Sequence, residues 1–189
     1  MKELVMTIGL PYSGKSTVAK DYVKKGYFLI ERDILVNEIL KSVKFAERVK
    51  IAVTPEIEND KKRVFDIKNE IATEMLNAKI ADIVEKEKPE KIIYDGTNLQ
   101  RGTRKGLLDL KRFGYRVKAI VLPIDEKTFV ERHVKTLMGN EREGKFNERA
   151  HLLMGKFISM LEDPTEDEGF DEVEVWTPSE LSVETVKMK

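Results

Sequence analysis

Cysteine is absent, histidine occurs twice and tryptophan once. Without cysteine the chain has no disulfide, no thiolate zinc site and no cysteine nucleophile. His133 and His151 have no partners at metal-ligand or triad spacing, so imidazole metal and triad chemistry is not expected. No apolar run approaches the ~20 residues that span a bilayer. Met1-Lys2-Glu3 runs directly into an apolar strand, so no leader and no membrane association are expected, and a cytoplasmic location is. An excess of one charge is missing too: 34 Lys+Arg face 34 Asp+Glu. Net zero argues against a protein that coats nucleic acid by bulk electrostatics. That zero is a composite, however. Residues 157–186 hold ten acids and no Lys or Arg, leaving 34 bases against 24 acids elsewhere, a balance of +10. The acidic stretch itself reads as solvated surface, and the basic remainder as attractive to polyanions.

What is present is a 189-residue chain, 41% hydrophobic and 36% charged, the size of a single domain with a sizeable core. Short apolar runs alternate with segments of helical period. Strands are predicted at Leu4–Ile8, Tyr27–Ile30, Lys91–Asp95, Tyr115–Leu122 and Val173–Trp176. Helices are predicted at Ser16–Lys25, from Asp33 to about Val43, from Thr54-Pro55 to about Glu87 with a possible break near Asp60, and at Gly102–Phe113, Asp125–Met138 and Asn147–Leu161. Gly26 and Gly114 stand at helix-stop positions. Met154, Phe157, Ile158 and Leu161 share helical spacing and read as core, and Trp176 reads as core or interface. This order implies right-handed crossovers and a parallel sheet covered on both faces.

Gly9-Leu10-Pro11-Tyr12-Ser13-Gly14-Lys15-Ser16, followed by Thr17, fits the P-loop pattern and sits between a strand and a helix, as its mechanism requires. Glycines at 9 and 14 let successive N–H groups around Tyr12 and Ser13 curl about phosphate oxygens, and the helix start adds its positive dipole end. Lys15 would reach the β- and γ-phosphates of ATP, and the Ser16 hydroxyl would meet Mg²⁺. The fold class expected is α/β: a P-loop NTPase-type, doubly wound, mainly parallel five-stranded sheet with helices on both faces and a helical lid. One domain spans residues 1–189, with the lid near 132–149 and the last strand inside the acidic segment 157–186.

Asp95 ends a buried strand at the ligand-binding edge of such a sheet, where it would orient Mg²⁺ directly or through water. Gly96, Thr97 and Asn98 offer backbone and amide groups beside it. Arg32-Asp33 opens a helix at the same edge. Asp33 there is either a helix cap or the base that takes a hydroxyl proton. Arg132, Arg142 and Arg149 surround the glycine-containing lid segment, as residues that stabilise a transferring phosphoryl group or as surface ion pairs.

Together, Gly9–Thr17, Arg32-Asp33, Asp95-Gly96-Thr97-Asn98-Leu99 and Arg142 resemble the kinase domain of bacteriophage-type polynucleotide 5′-hydroxyl kinases. Gly169-Phe170-Asp171-Glu172-Val173 also looks like an ending of their wider family. The resemblance implies transfer of the ATP γ-phosphate to a 5′-hydroxyl nucleic acid end with Mg²⁺. Asp33 would be the general base with Arg32 beside it, and Arg142 a lid arginine; Arg132, from its position before the lid segment, would be a further nucleotide contact. Where that family often has an arginine three residues after the aspartate, this chain has Val36, with Lys41 and Lys44 as the next cations. A kinase of a small-molecule alcohol (a nucleoside, sugar or antibiotic) and a non-catalytic ATP-binding regulator are the alternatives. Oligomeric state is not legible.

Overall fold

The structure is a computed structural model that describes residues 1–137, 143–176 and 183–186. The chain clusters into two compact units: Met1–Ile30 with Glu90–Lys189, and Glu31–Pro89 between them.

The first unit is built on a sheet in the order β2-β3-β1-β4-β5-β6. Its strands are β1 (Lys2–Ile8), β2 (Phe28–Glu31), β3 (Lys91–Asp95), β4 (Tyr115–Val121), β5 (Glu172–Trp176) and β6 (Val183–Val186). β1 pairs in parallel with β3 on one side and β4 on the other, and β4 in parallel with β5. The register sets Met6 beside Tyr94 and Ile8 beside Val121, so the C-terminal ends of β1, β3 and β4 share one edge. Five strands are expected from sequence; the sixth, β6, adds antiparallel to β5. Four residues are too few for periodicity to reveal a strand, and the ladder with β5 supplies what local pattern does not.

Leu4 through Ile8 are buried without a break, as a strand covered on both faces requires. On one face Val5, Ile93 and Ile120 pack with Val18, Ala19 and Tyr22 of α1 (Lys15–Lys24), and Trp176 closes against this cluster. On the other, Leu4, Met6, Ile92, Tyr94, Val117 and Ala119 are buried as well. Each fully buried Ile or Leu contributes ~1.5–3 kcal/mol. α5 (Arg101–Leu108) continues as a 3₁₀ turn, Asp109–Phe113, to Gly114 at φ 83°. Two more helices, α6 (Glu126–Leu137) and α7 (Glu143–Ser159), pack on each other, and His151 meets Glu126 at 2.7 Å. Phe129 and Met154 bury themselves against Leu10 and Leu99. Ile158 and Leu161 lie exposed, against the core placement expected from their spacing, because only one stripe of α7 faces a partner.

The acidic segment departs most from expectation. Five of its ten acids, between Asp167 and Glu174, pair with basic residues of the body. Asp167 pairs with Arg101, Glu168 with Arg104 at 2.6 Å, Asp171 with Lys111 at 2.9 Å, Glu172 with Arg116 at 2.8 Å, and Glu174 with Lys118 at 2.6 Å. The Asp171 carboxylate also accepts from the Val117 amide at 2.7 Å. Much of the basic excess is thus neutralised where it arises.

Several of these carboxyls sit below their usual range. For Asp167 the causes are the Thr165 hydroxyl and then Arg101. For Asp171 and Glu174 burial pushes upward. It is outweighed by the Val117 amide and Lys111 at Asp171, and by Lys118 and the Trp176 indole N–H at Glu174. A carboxyl depressed in the folded state stabilises it above the unfolded value, about 3.9–4.3, and loses that contribution as pH falls through the folded value. The melting temperature at low salt is therefore expected to hold down to about pH 5 and to decline below about pH 4. A melting temperature unchanged at pH 3 would contradict the pairing.

The second unit is three helices: α2 (Arg32–Leu40), α3 (Val43–Ala52) and α4 (Lys61–Glu87). Two polar caps set its boundaries. The Ser42 hydroxyl accepts from the Phe45 amide at 3.2 Å and divides α2 from α3, where a single helix to Val43 is expected from sequence. The Asp60 carboxylate accepts from the Arg63 amide at 3.0 Å and caps α4, which starts at Lys61; residues 55–59 form turns, so the helix start expected at Thr54-Pro55 does not occur. α4 packs on both shorter helices, and Arg48–Glu74 and Lys79–Glu38 tie their surfaces.

Candidate functional site

β1 delivers the chain at Gly9 into a tight loop. A Cβ at Gly9 would lie 2.6 Å from the Leu122 carbonyl oxygen and 2.8 Å from Ser13 Oγ, so only glycine fits between the end of β4 and the loop. Tyr12 (φ 67°) and Gly14 (φ 98°) both take the left-handed conformation, which turns consecutive amides toward one concavity. At Gly14 space is open and the requirement is conformational. α1 then starts at Lys15 with no side-chain cap.

Tyr12 is gripped by α6. Arg132 donates to its carbonyl at 2.6 Å, His133 Nδ1 lies 3.1 Å from its hydroxyl, and Phe129 meets its ring edge-on at 5.5 Å. These contacts stabilise a left-handed conformation unfavourable for a tyrosine. His133, which sequence reading sets aside for metal or triad work, is thus a buried support of the loop. The i, i+3, i+4 spacing of Phe129, Arg132 and His133 is the signal that puts the three on one helix face.

Tyr12, Gly14, Lys15, Ser16, Thr17, Arg132, Lys135 and Thr136 line a pocket of 420 Å³. Among the described residues its lining has three cations and no carboxylate, which suits an anion. Lys15 is buried and its ammonium donates to the Leu10 carbonyl at 2.5 Å, which draws the charge over the loop. Ser16 and Thr17 are exposed at the helix start. Ser13 Oγ is buried with no hydrogen-bond partner among the described residues, a polar atom inside the cradle that a phosphate oxygen or water would satisfy. Lys135 is the lining cation that sequence reading misses; it lies one turn beyond Arg132.

Beside this pocket, Asp95 is half-buried at the end of β3, one step beyond the Met6–Tyr94 pair. The Gly9 amide donates to the Thr97 carbonyl at 3.0 Å, tying the two loops. The Asn98 amide is spent within the fold: Nδ2 donates to the Thr7 carbonyl at 2.8 Å and the Gly96 carbonyl at 3.3 Å. Arg32 and Asp33 belong to the helical unit. Glu31, not Asp33, occupies the cap position of α2, and the Asp33 side chain is 95% exposed with one long contact, 3.5 Å, to Arg32. Val36 is half-buried and Lys41 and Lys44 are exposed. Arg149 is exposed on α7, and Arg142 lies outside the described residues. A larger cavity, 770 Å³, lies along α5, where Arg101, Lys105 and Lys111 face Asp109, Glu162, Asp167 and Glu168. Its cations are matched by acids, so it has no comparable pull on an anion.

Among the described residues no helix is long and apolar enough to cross a membrane. No curated protein sequence matches the chain. Solved structures do. One is of the PezAT chromosomal toxin-antitoxin system of Streptococcus pneumoniae, with a TM-score of 0.56 at 14% identity over 97% of this chain and 71% of that one. Another is a gluconokinase from Sinorhizobium meliloti 1021, with a TM-score of 0.50 at 18% identity over 94% of this chain and 83% of that one. At such identities the likeness is one of fold, the P-loop NTPase α/β fold expected from the loop and its flanking elements. The sequence profile of a family described as an AAA domain matches residues 4–155, from β1 through the cradle, Asp95 and α6 into α7, and the chain belongs to that AAA domain family.

Proposed function

We propose that the protein is an ATP-dependent kinase that phosphorylates a hydroxyl group, with the 5′-hydroxyl end of a polynucleotide as acceptor. The observation that carries the reading is the lining of the loop pocket, whose charged groups among the described residues are all cations. The donor set fits a Mg²⁺-bound nucleoside triphosphate: amides turned inward by Tyr12 and Gly14, the Lys15 ammonium, the Ser16 and Thr17 hydroxyls and the orphaned Ser13 Oγ. Among the described residues no cluster of three acids or imidazoles forms, and Mg²⁺ suits a site where phosphates, one hydroxyl, one carboxylate and water share it.

When bound, Mg·ATP supplies the transferable phosphoryl group and the metal charge that offsets its oxygens. Lys15, Arg132 and Lys135 neutralise phosphate charge, with Arg142 added from the lid. Ser16 and Asp95 hold the metal or its waters. Asp33 takes the proton of the acceptor hydroxyl; its exposed carboxylate, uncommitted to capping, suits that role. Thr97 and Arg32 contact the acceptor side.

A second reading, a small-molecule alcohol as acceptor, is favoured by one residue: Val36 offers no charge where the polynucleotide kinases often place an arginine. Incubation with γ-labelled ATP separates the two. Label on a 5′-hydroxyl oligonucleotide supports the first reading; label confined to nucleosides or sugars supports the second. No transfer to either refutes the kinase assignment. In whichever assay is positive, Asp33→Ala is expected to lower transfer about 10²–10⁴-fold at unchanged ATP affinity.

A further inference from the structure

We infer that Arg104 is a positioning residue for the phosphate edge, through which the acidic C-terminal segment is built into the site. The inference rests on the kinase reading only for what the edge does; the positioning stands on contacts alone. Arg104 is fully buried on α5. Its Nε and Nη2 donate to the two oxygens of Glu168 at 2.7 and 2.6 Å, a fork-to-fork pair. Nη1 points the other way and donates to the carbonyls of Asn98 at 3.1 Å, Leu99 at 3.0 Å and Glu162 at 2.8 Å.

Stability alone is a poor reason for this arrangement, since a buried ion pair is often matched by apolar residues of the same volume. A planar guanidinium does what those residues cannot: it joins a carboxylate on one side to successive carbonyls on the other. The Asn98 and Leu99 carbonyls belong to the loop that follows Asp95, and the Glu162 carbonyl to the acidic segment. Asn98 there is left-handed (φ 47°), its side chain holds the Thr7 and Gly96 carbonyls, and the Thr97 carbonyl receives the Gly9 amide. The Glu162 amide also donates to the Leu99 carbonyl at 2.9 Å, so the acidic segment and Arg104 grip the same point. Hydrogen bonds joined through the Thr97–Asn98 backbone thus link Glu168 to the first glycine of the cradle. Loosening it frees Asp95 and Thr97 while leaving Lys15 and Ser16 in place.

Three variants test this: Arg104→Lys and Glu168→Gln in the network, and Arg116→Gln as a control that breaks an acidic-segment pair without contacting the loop. All are compared at a temperature where each is folded. Amide hydrogen exchange at residues 96–99 is expected to rise about tenfold in the first two and stay unchanged in the control. The Mg²⁺ concentration for half-maximal turnover is expected to rise about tenfold in the same two, with KM for ATP within about twofold of wild type. Unchanged exchange at 96–99 in both network variants overturns the inference, as does faster exchange in the control to the same degree. Faster exchange with an unmoved Mg²⁺ requirement overturns the claim that the loop's placement serves the site. If wild type turns over no ATP, the kinase reading fails, and the exchange arm still decides whether Arg104 positions the loop.

Discussion

Lys15→Ala is expected to reduce phosphoryl transfer from ATP by about 10²–10³-fold, the scale of removing one preorganised charged donor from developing negative charge. The loss should fall on kcat, because charge on the transferred group rises toward the transition state. The fold should persist, since β1 and α1 are held by the sheet core, which does not depend on the Lys15 bond to the Leu10 carbonyl. Lys15→Met retains the stem and should show the same kinetic loss with a melting temperature close to wild type. Steady-state kinetics and thermal melts on the two variants check it. A variant that keeps more than about a tenth of wild-type turnover would remove Lys15 from the catalytic machinery.

Glu168→Ala carries the largest expected effect on stability. Arg104 and Glu168 are 0% and 1% exposed, so removing the carboxylate leaves a buried guanidinium without its counter-charge. Breaking such a pair from one side costs about 3–5 kcal/mol, a large share of the roughly 5–15 kcal/mol that holds a domain together. By contrast Asp167→Ala, which breaks the exposed pair with Arg101, should leave stability close to wild type. Urea denaturation of both variants gives the comparison. Equal midpoints would mean that the burial of Arg104 does not govern the energetics of the segment.

How much of this was legible beforehand follows the range of the interactions. The loop from Gly9 to Thr17 is local: strand, turn and helix signals lie side by side, and the geometry follows. Asp95 at a strand end was legible for the same reason, because a short apolar run with a terminal acid is a pattern of five residues. Arg104 was not. Its carboxylate partner lies 64 residues away, and tertiary contacts, the parallel pairing of β4 with β5 among them, bring the two segments together. The same distance hid the fate of the acidic stretch, which composition alone makes look solvated. Tyr12 with Arg132 and His133 is separated by about 120 residues and unites the loop with α6 by packing that no periodicity reports. Ser42 and Asp60 fall between: both are capping residue types, but a cap is told from a mid-helix polar residue only once the chain turns there.

The placement of β1 has a consequence for the order of folding. It is the central strand, yet it precedes both of its neighbours in the chain, and the whole helical unit Glu31–Pro89 is synthesised before β3 or β4 exists. Contacts among α2, α3 and α4 close short loops and form fast, whereas the pairings of β1 demand long closures. During translation Leu4 through Ile8 must therefore wait as an unpaired apolar segment while the helices gather, and that interval is where association with a second nascent chain competes with native pairing.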